Sequence, residues 1–360
     1  AKPLGTRQLI QSVKNGETLV IFPEGRLTTT GGLMKVYDGT AMIADKADAV
    51  VVPVRIDGPE RSPFGYLTRY QTKKAWFPKT TITILPPVKL PVDQTLKGKA
   101  RRQSAGAAMQ DLMVETAVRT TNLDQTLFAA LADAKRTRDT GKPILEDAMG
   151  TKLKFGKLIL SAQILGAKLI GLAPAGASVG VLLPNTAGVA VTFFALQSIG
   201  RVPAMLNYSA GAANMLAACK ASGVNTILTS RSFIEKARLG EVLAKLEAEN
   251  KIVYLEDIKS TIGIADKIMG FRAGDRCQVK RNANDPAVIL FTSGSEGTPK
   301  GVVLSHKNVL ANAFQCLHRI AVNGSDKVFN VMPVFHSFGL TGGLVMPLVG
   351  GVPVFLYPSP

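Results

Sequence analysis

"ILFTSGSEGTPKGVVLSHKNVL" occupies residues 289–310. Its apolar opening, Ile289 to Phe291, ends the run Ala287 to Phe291, which reads as a buried strand. Thr292 to Gly301 is polar, with glycines at 294, 297 and 301 and a single cation, Lys300. Glycine lets backbone amides approach oxyanions closely. Ser293, Ser295 and Thr298 add hydroxyl donors. Ligands of open α/β sheets bind beyond the carboxyl ends of the strands. A strand, this loop and a helix starting near His306 therefore read as a polyphosphate cradle. A P-loop requires G-x-x-x-x-G-K-[ST], but Gly294 and Gly297 are three apart and Pro299-Lys300-Gly301 follows. The phosphates are held by another arrangement. Glu296 is unexplained: a carboxylate there repels phosphate unless it faces a metal, Lys300 or solvent.

Strand patterns recur on both sides of the loop, at Val179–Leu183, Thr226–Thr229, Ile252–Leu255, Val328–Met332 and Val352–Leu356. Helical patterns fall between most of them, at Leu153–Ile170, Thr186–Ile199, Ala210–Ala221, Phe233–Glu249 and His306–Ile320. This alternation predicts βαβ units and a parallel sheet.

The part before residue 121 is also α/β. Thr18–Phe22 reads as a strand ending in the turn Pro23-Glu24-Gly25-Arg26, and Gly39–Ala47 as a helix. Ala49–Ile56 is apolar enough for a strand buried on both faces. Thr80–Leu85 is a further strand. Ala100–Thr120 lines up Ala105, Met109, Leu112, Met113 and Thr116 on one helical face. The domain boundary is drawn after that helix, giving domains 1–120 and 121–360.

Between Ser62 and Arg102 nine basic residues face one acidic residue, Asp93, a local net charge of +8. Phe64, Tyr66, Tyr70, Trp76 and Phe77 are interleaved with its first part. Aromatics beside lysines suit a membrane interface or an anionic head group. No nucleic-acid motif accompanies them, so no nucleic-acid partner is expected.

The chain has 360 residues, 46% of them hydrophobic, enough for two or three folded domains. Its formal charge of +17 favours anionic partners. Cys219, Cys277 and Cys316 are far apart, as expected of free thiols in a reducing compartment. Three histidines, His306, His318 and His336, exclude a histidine-rich metal site, and no metal-ligand set is read. The apolar stretches Thr186–Gly200 and Gly339–Tyr357 are too short or too interrupted to span a bilayer and read as buried elements.

TSGSEGTPKG, residues 292–301, resembles the phosphate-binding signature of the adenylate-forming superfamily, whose commoner form has Thr at the place of Glu296. VLLPNTAGVAVTFFALQSIGRVPAMLN, Val181–Asn207, resembles its early strand-helix-strand segment, and PVFHSFGL, Pro333–Leu340, its aromatic/histidine motif near the acyl pocket. The resemblance covers roughly Thr121 to Pro360. It implies that Thr292, Ser293, Gly294, Ser295, Gly297 and Lys300 contact the phosphates of ATP. It also implies that His336 lies by the carboxylate being activated, with Mg2+ screening the phosphates. The implied reaction is carboxylate attack on the α-phosphate, giving acyl-adenylate and pyrophosphate. Lys300 would supply much of the charge stabilisation. The superfamily's later glycine-tyrosine-glycine-threonine-glutamate stretch does not occur, nor does its C-terminal lysine domain.

FPEGRLTTTGGLMKVYDG, Phe22–Gly39, resembles the third conserved block of the glycerolipid acyltransferases, and VVPVRIDG, Val51–Gly58, their fourth. The resemblance implies that Glu24, Gly25 and Arg26 help bind the acceptor's phosphate-glycerol part. The family's His-x-x-x-x-Asp block is missing, because Ala311, Asn323 and Thr341 stand five residues after the three histidines. The chain is therefore expected to be a fragment cut at both ends and inactive by itself.

The expected fold is thus a partial acyltransferase α/β domain followed by the partial N-terminal domain of the adenylate-forming fold. The combination resembles bacterial bifunctional enzymes joining an acyl-[acyl-carrier-protein] synthetase to a 2-acylglycerophosphoethanolamine acyltransferase. That implies fatty acid, acyl carrier protein and lysophosphatidylethanolamine as partners. The place would be the anionic, cytoplasmic face of a bacterial inner membrane. Alternatives are a fatty-acyl-CoA synthetase fused to an unrelated α/β domain, and a non-catalytic membrane-binding remnant.

Overall fold

Helix Gly98–Arg119 is the spine of the first of two units. The computed structural model describes residues 3–292 and 299–358. Unit 1 holds the residues up to Thr121 together with Phe314–Asn323, and unit 2 holds Asn122–Ala313 and Gly324 onward. The spine buries Ala105, Met109 and Thr116 and packs Leu112 and Met113 against a small core, the face its periodicity predicts. That core is completed by Val36, Ala41, Ala44 and Val92. Ala41 and Ala44 come from helix Asp38–Lys46. Arg101 of the spine grips Asp45 with two hydrogen bonds of 2.8 and 2.9 Å, a fork-on-carboxylate pairing.

Strands β1 (Val54–Asp57) and β2 (Thr81–Ile84) form a two-stranded antiparallel ribbon. This corrects two expectations. Only the end of Ala49–Ile56 joins a ladder, and it is not buried on both faces. Val51 and Arg55 lie on its more covered side, where Arg55 donates to the Ala117 carbonyl at 2.7 Å. Val54 and Ile56 sit opposite Ile84 and Ile82 on a face that stays exposed. Thr18–Phe22 is no strand, and Val20 and Phe22 are exposed. An apolar run signals a strand only where a partner edge and a covering layer exist.

Unit 2 contains two sheets. Its strands are β3 (Leu145–Asp147), β4 (Lys152–Leu153), β5 (Ser178–Val181), β6 (Val202–Met205), β7 (Thr226–Thr229), β8 (Lys251–Tyr254), β9 (Pro286–Thr292), β10 (Lys300–Ser305), β11 (Val328–Asn330) and β12 (Val354–Leu356). The larger sheet runs β10-β9-β6-β5-β7-β8, the smaller β11-β12-β3-β4. All pairs are parallel except β10 on β9 and β4 on β3. Central strands β6 and β7 are buried along their whole length, as parallel strands covered on both faces must be. The expected strands of this region are all present, with ends shifted by up to two residues.

Helix Ala187–Ser198 connects β5 to β6 and is buried at ten of its twelve positions. At one end its Ala187 amide donates to Asp147 Oδ2 of β3 at 2.8 Å. At the other, Gln197 Nε2 donates to the Ala287 carbonyl of β9 at 2.7 Å. Both sheets are thereby tied to one apolar rod. Helix Phe155–Leu169 packs on it through Gly166, where a Cβ would stand 2.6 Å from Ser198 Oγ and 3.0 Å from the Ala195 carbonyl.

Arg201, buried, follows that helix. Its guanidinium donates to the carbonyls of Ile170 and Ala173, at 2.6–2.9 Å, and of Ile199. Neutral carbonyls thus satisfy a buried cation. The expected helix Phe233–Glu249 is two helices, Arg231–Lys236 and Gly240–Glu247. Arg238 takes a left-handed φ of 53° between them, and Leu239 is buried by the turn. Cys219 is a buried thiol pushed up to about 11 by burial and by Glu249, hence unreactive. Among the described residues no helix is long and apolar enough to cross a membrane.

Gly166→Ala is expected to lower stability by about 1–3 kcal/mol through overpacking at this crossing. Urea denaturation should show a lower midpoint at unchanged slope.

Candidate functional site

The carboxyl ends of β5, β6, β7, β8 and β9 share one edge of the larger sheet. The residues just past three of them converge on the Pro333–Leu340 stretch. Asn185, after β5 and fully buried, acts as a two-sided clamp. Its Nδ2 donates to the Met332 carbonyl at 2.7 Å and its Oδ1 accepts from the Val334 amide at 3.0 Å. Tyr208, after β6, meets the ring of Phe335 edge-on at 4.9 Å and that of Phe233, after β7, at 5.3 Å. Burial pushes the Tyr208 hydroxyl upward, so it remains a neutral donor. Two of the sequence stretches singled out above, Val181–Asn207 and Pro333–Leu340, are therefore in direct contact.

His336 sits at the rim of this cluster, exposed, immediately before the short helix Ser337–Leu340. Its amide donates to the Pro333 carbonyl at 2.9 Å. Gly339 allows the turn, since a Cβ there would lie 2.1 Å from the Pro333 carbonyl oxygen. Asn330 Nδ2 donates to the Gly339 carbonyl at 3.2 Å. A π-helical turn, Thr341–Val345, follows, a feature frequent at functional sites.

The Thr292–Gly301 stretch is bounded differently from the expected strand-loop-helix. β9 and β10 are antiparallel, with Lys300 directly opposite Thr292 and Gly301 opposite Phe291. The loop therefore closes a hairpin, and the helix begins only at His306. The sequence signal for β10 is the run Val302-Val303-Leu304, masked by its polar approach. Thr292 and Lys300 are both exposed at the hairpin mouth. Ser293, Gly294, Ser295, Gly297 and Thr298, with Glu296, lie outside the described residues. Lys300 makes no ion pair among the described residues and stands exposed at the strand ends, opposite Thr292. That fits a nucleotide phosphate. Among the described residues no group of three His, Cys, Asp or Glu could hold a metal ion.

An open hollow of about 580 Å³ near β8 is lined by Arg231, Glu235, Arg238 and Tyr254. Its Arg231 is already committed to both oxygens of Asp257, at 2.6 and 2.8 Å, and stacks over Tyr254 at 4.0 Å. It contains none of the residues named from sequence.

In unit 1 the Glu24-Gly25-Arg26 turn is ordered by its own hydrogen bonds. Glu24 Oε2 accepts from the Met34 amide at 2.7 Å. Burial pushes the Glu24 carboxyl up, with the Met34 amide and Arg26 pulling the other way. Gly25 has φ +62°, and Arg26 is exposed. Glu24 thus braces the loop to residue 34, a role its sequence position did not disclose.

His306, by contrast, is a packing histidine. It is buried, and its Nδ1 accepts from the Leu127 amide at 3.1 Å. Burial and the nearby Arg281 push it down to about 4, against the opposing pull of Asp285.

The chain matches the model of the family described as AMP-binding enzyme over residues 132–360, and that of the acyltransferases over residues 4–57. It is 30% identical over 197 residues to 4-coumarate–CoA ligase 2 of Oryza sativa subsp. japonica, covering 51% of this chain and 35% of that protein. It is 28% identical over 190 residues to long-chain fatty acid transport protein 5 of Mus musculus, covering 51% and 27%. The ATP-bound structure of MatB from Rhodopseudomonas palustris superposes with a TM-score of 0.52 at 23% identity, covering 65% of this chain and 45% of that one. The chain spans about a third of the length of the curated relatives it matches.

The lowered pKa of His306 gives a signed pH dependence. The folded state prefers the neutral ring, so this stability is complete above about pH 6.5 and is lost as pH falls towards 4. The shift corresponds to at most about 3 kcal/mol. His306→Asn retains an acceptor without the titration. Its urea midpoint should fall less than the wild type's between pH 6.5 and 4.

Proposed function

This chain belongs to the AMP-binding enzyme family through residues 132–360, and from that premise we propose that unit 2 activates a carboxylic acid with ATP. The proposed product is an acyl-adenylate with release of pyrophosphate. Lys300 and the hydroxyl of Thr292, with Ser293, Gly294, Ser295, Gly297 and Thr298, hold the phosphates. His336 lies beside the carboxylate. Bound magnesium would neutralise phosphate charge. The chain's own contribution is positioning: the hairpin presents Lys300, and Asn185 and Tyr208 hold the His336 segment at the same sheet edge.

The observation that carries the finer reading is the second family match in the same chain, acyltransferase over residues 4–57. An acid-activating unit joined to an acyl-transferring one makes a fatty acid the fitting substrate. We read the sequence of events as loading of the acyl group on acyl carrier protein, then transfer to lysophosphatidylethanolamine at the cytoplasmic face of a bacterial inner membrane. Glu24, Gly25 and Arg26 belong to the acceptor side of that second step. The similarity to a 4-coumarate–CoA ligase supports a second reading, in which coenzyme A takes the acyl group.

The test is fatty-acid-dependent exchange of pyrophosphate into ATP, run on the longest native polypeptide containing this chain. Exchange should occur and fall about 100-fold in Lys300→Ala, the effect of removing one preorganised charge-stabilising donor. Lys307→Ala, at an exposed lysine past the other end of β10, should exchange normally. Absence of exchange with any fatty acid would overturn the activation reading. Acyl transfer to coenzyme A in preference to acyl carrier protein would select the second reading.

A further inference from the structure

The connection from β1 to β2, residues 58–80, carries four large aromatics in water: Phe77 (96% exposed), Phe64 (89%), Trp76 (74%) and Tyr66 (73%). The loop is nevertheless internally built. At its neck Gly58, with φ +108°, packs so tightly that a Cβ would lie 2.1 Å from the Lys79 carbonyl oxygen. The Ala75 amide donates to the Arg61 carbonyl at 2.9 Å. The ammonium of Lys74 donates to the carbonyls of Glu60, Ser62 and Gly65 at 3.3, 2.8 and 3.0 Å. Gln71 ties the loop to the Thr29 carbonyl at 2.8 Å, and Leu67 and Thr72 are buried beneath it. These bonds bring the Phe64–Tyr66 and Trp76–Phe77 segments side by side. A loop that orders its backbone while leaving its largest apolar groups in water presents them to something.

The charge around the aromatics says what. Arg69, Lys73 and Lys79 are exposed in the same loop, whose single acidic residue, Glu60, accepts from the Gly58 amide at 2.8 Å at the neck. Arg69 lies over the Tyr70 ring at 5.4 Å. Flat aromatic rings ringed by cations are the chemistry of a water–lipid boundary carrying anionic head groups.

We propose that the 58–80 loop is a bilayer-docking surface, with Phe64, Tyr66, Trp76 and Phe77 entering the interface and Arg69, Lys73 and Lys79 contacting anionic head groups. Lys74 is not among the head-group contacts, because its ammonium is the loop's internal tie. This deepens the membrane part of the reading above and assigns it to specific side chains.

Trp76 is the chain's sole tryptophan and reports directly. Titration of the full chain with vesicles mixing phosphatidylethanolamine and phosphatidylglycerol should shift Trp76 emission to the blue. Brominated lipids should quench it, whereas phosphatidylcholine vesicles and high salt should suppress binding. Arg69→Gln, Lys73→Gln and Lys79→Gln should each weaken binding about fivefold, and Phe77→Ser and Phe64→Ser should weaken it at unchanged circular dichroism. An unshifted Trp76 on anionic vesicles would overturn the proposal. So would binding indifferent to the three charges. A blue shift that grows with protein concentration without lipid would replace it with self-association. No step requires nucleotide or turnover, so this failure is distinct from failure of the exchange assay.

Discussion

A helix with no polar side has to be covered on every side. Ala187–Ser198 is that helix, and unit 2 is arranged around it. Covering it brings the β9-containing sheet to one end and the β3-containing sheet to the other, through Gln197 and Asp147. It also fixes where β5 ends and β6 begins, hence where Asn185 and Tyr208 stand. Those two residues seat the His336 segment. The site is thus a product of apolar burial with a few directional bonds added, since burial alone is non-directional.

Unit 2 was largely legible from periodicity. Its parallel strands are short apolar runs because both faces are buried, and its helices fill the gaps. The sequence was opaque where a local rule competes with tertiary pairing. KGVVLS, residues 300–305, follows a glycine-rich polar stretch and reads as a loop running into a helix, yet it is an edge strand paired to β9. Phe233–Glu249 has one continuous apolar stripe, yet Arg238 breaks it so that Leu239 can be buried. In unit 1 the apolar runs Thr18–Phe22 and Ala49–Ile56 mimic core strands, although their outward side chains are exposed. Of the site, Thr292, Lys300 and His336 were visible as motif members. Asn185 was visible only as part of the longer Val181–Asn207 stretch, Tyr208 lies just past its end, and the clamping roles of both follow from their contacts with Val334 and Phe335.

Charge counts behave similarly. The +8 between Ser62 and Arg102 suggests a uniformly basic face. Arg101, however, is spent on Asp45 and Lys74 on three backbone carbonyls. A cation bonded inside the fold contributes to the long-range field but gives no hydrogen bond to a partner. Of the cations that remain outward, Arg69, Lys73 and Lys79 stand in the aromatic loop and Lys97 and Lys99 by the start of helix Gly98–Arg119, so position describes the surface better than the total does.

The core of unit 1 has an energetic corollary. Its buried cluster is Val36, Ala41, Ala44, Val92, Ala105 and Met109, mostly small side chains that remove little apolar area from water. Unit 2 buries whole tiers of Leu, Ile and Phe, Phe193 and Phe194 among them. Since stability scales with apolar area buried, unit 1 is expected to open before unit 2 on warming, with a half-folded species between. A single transition temperature for the whole chain is then not a defined quantity.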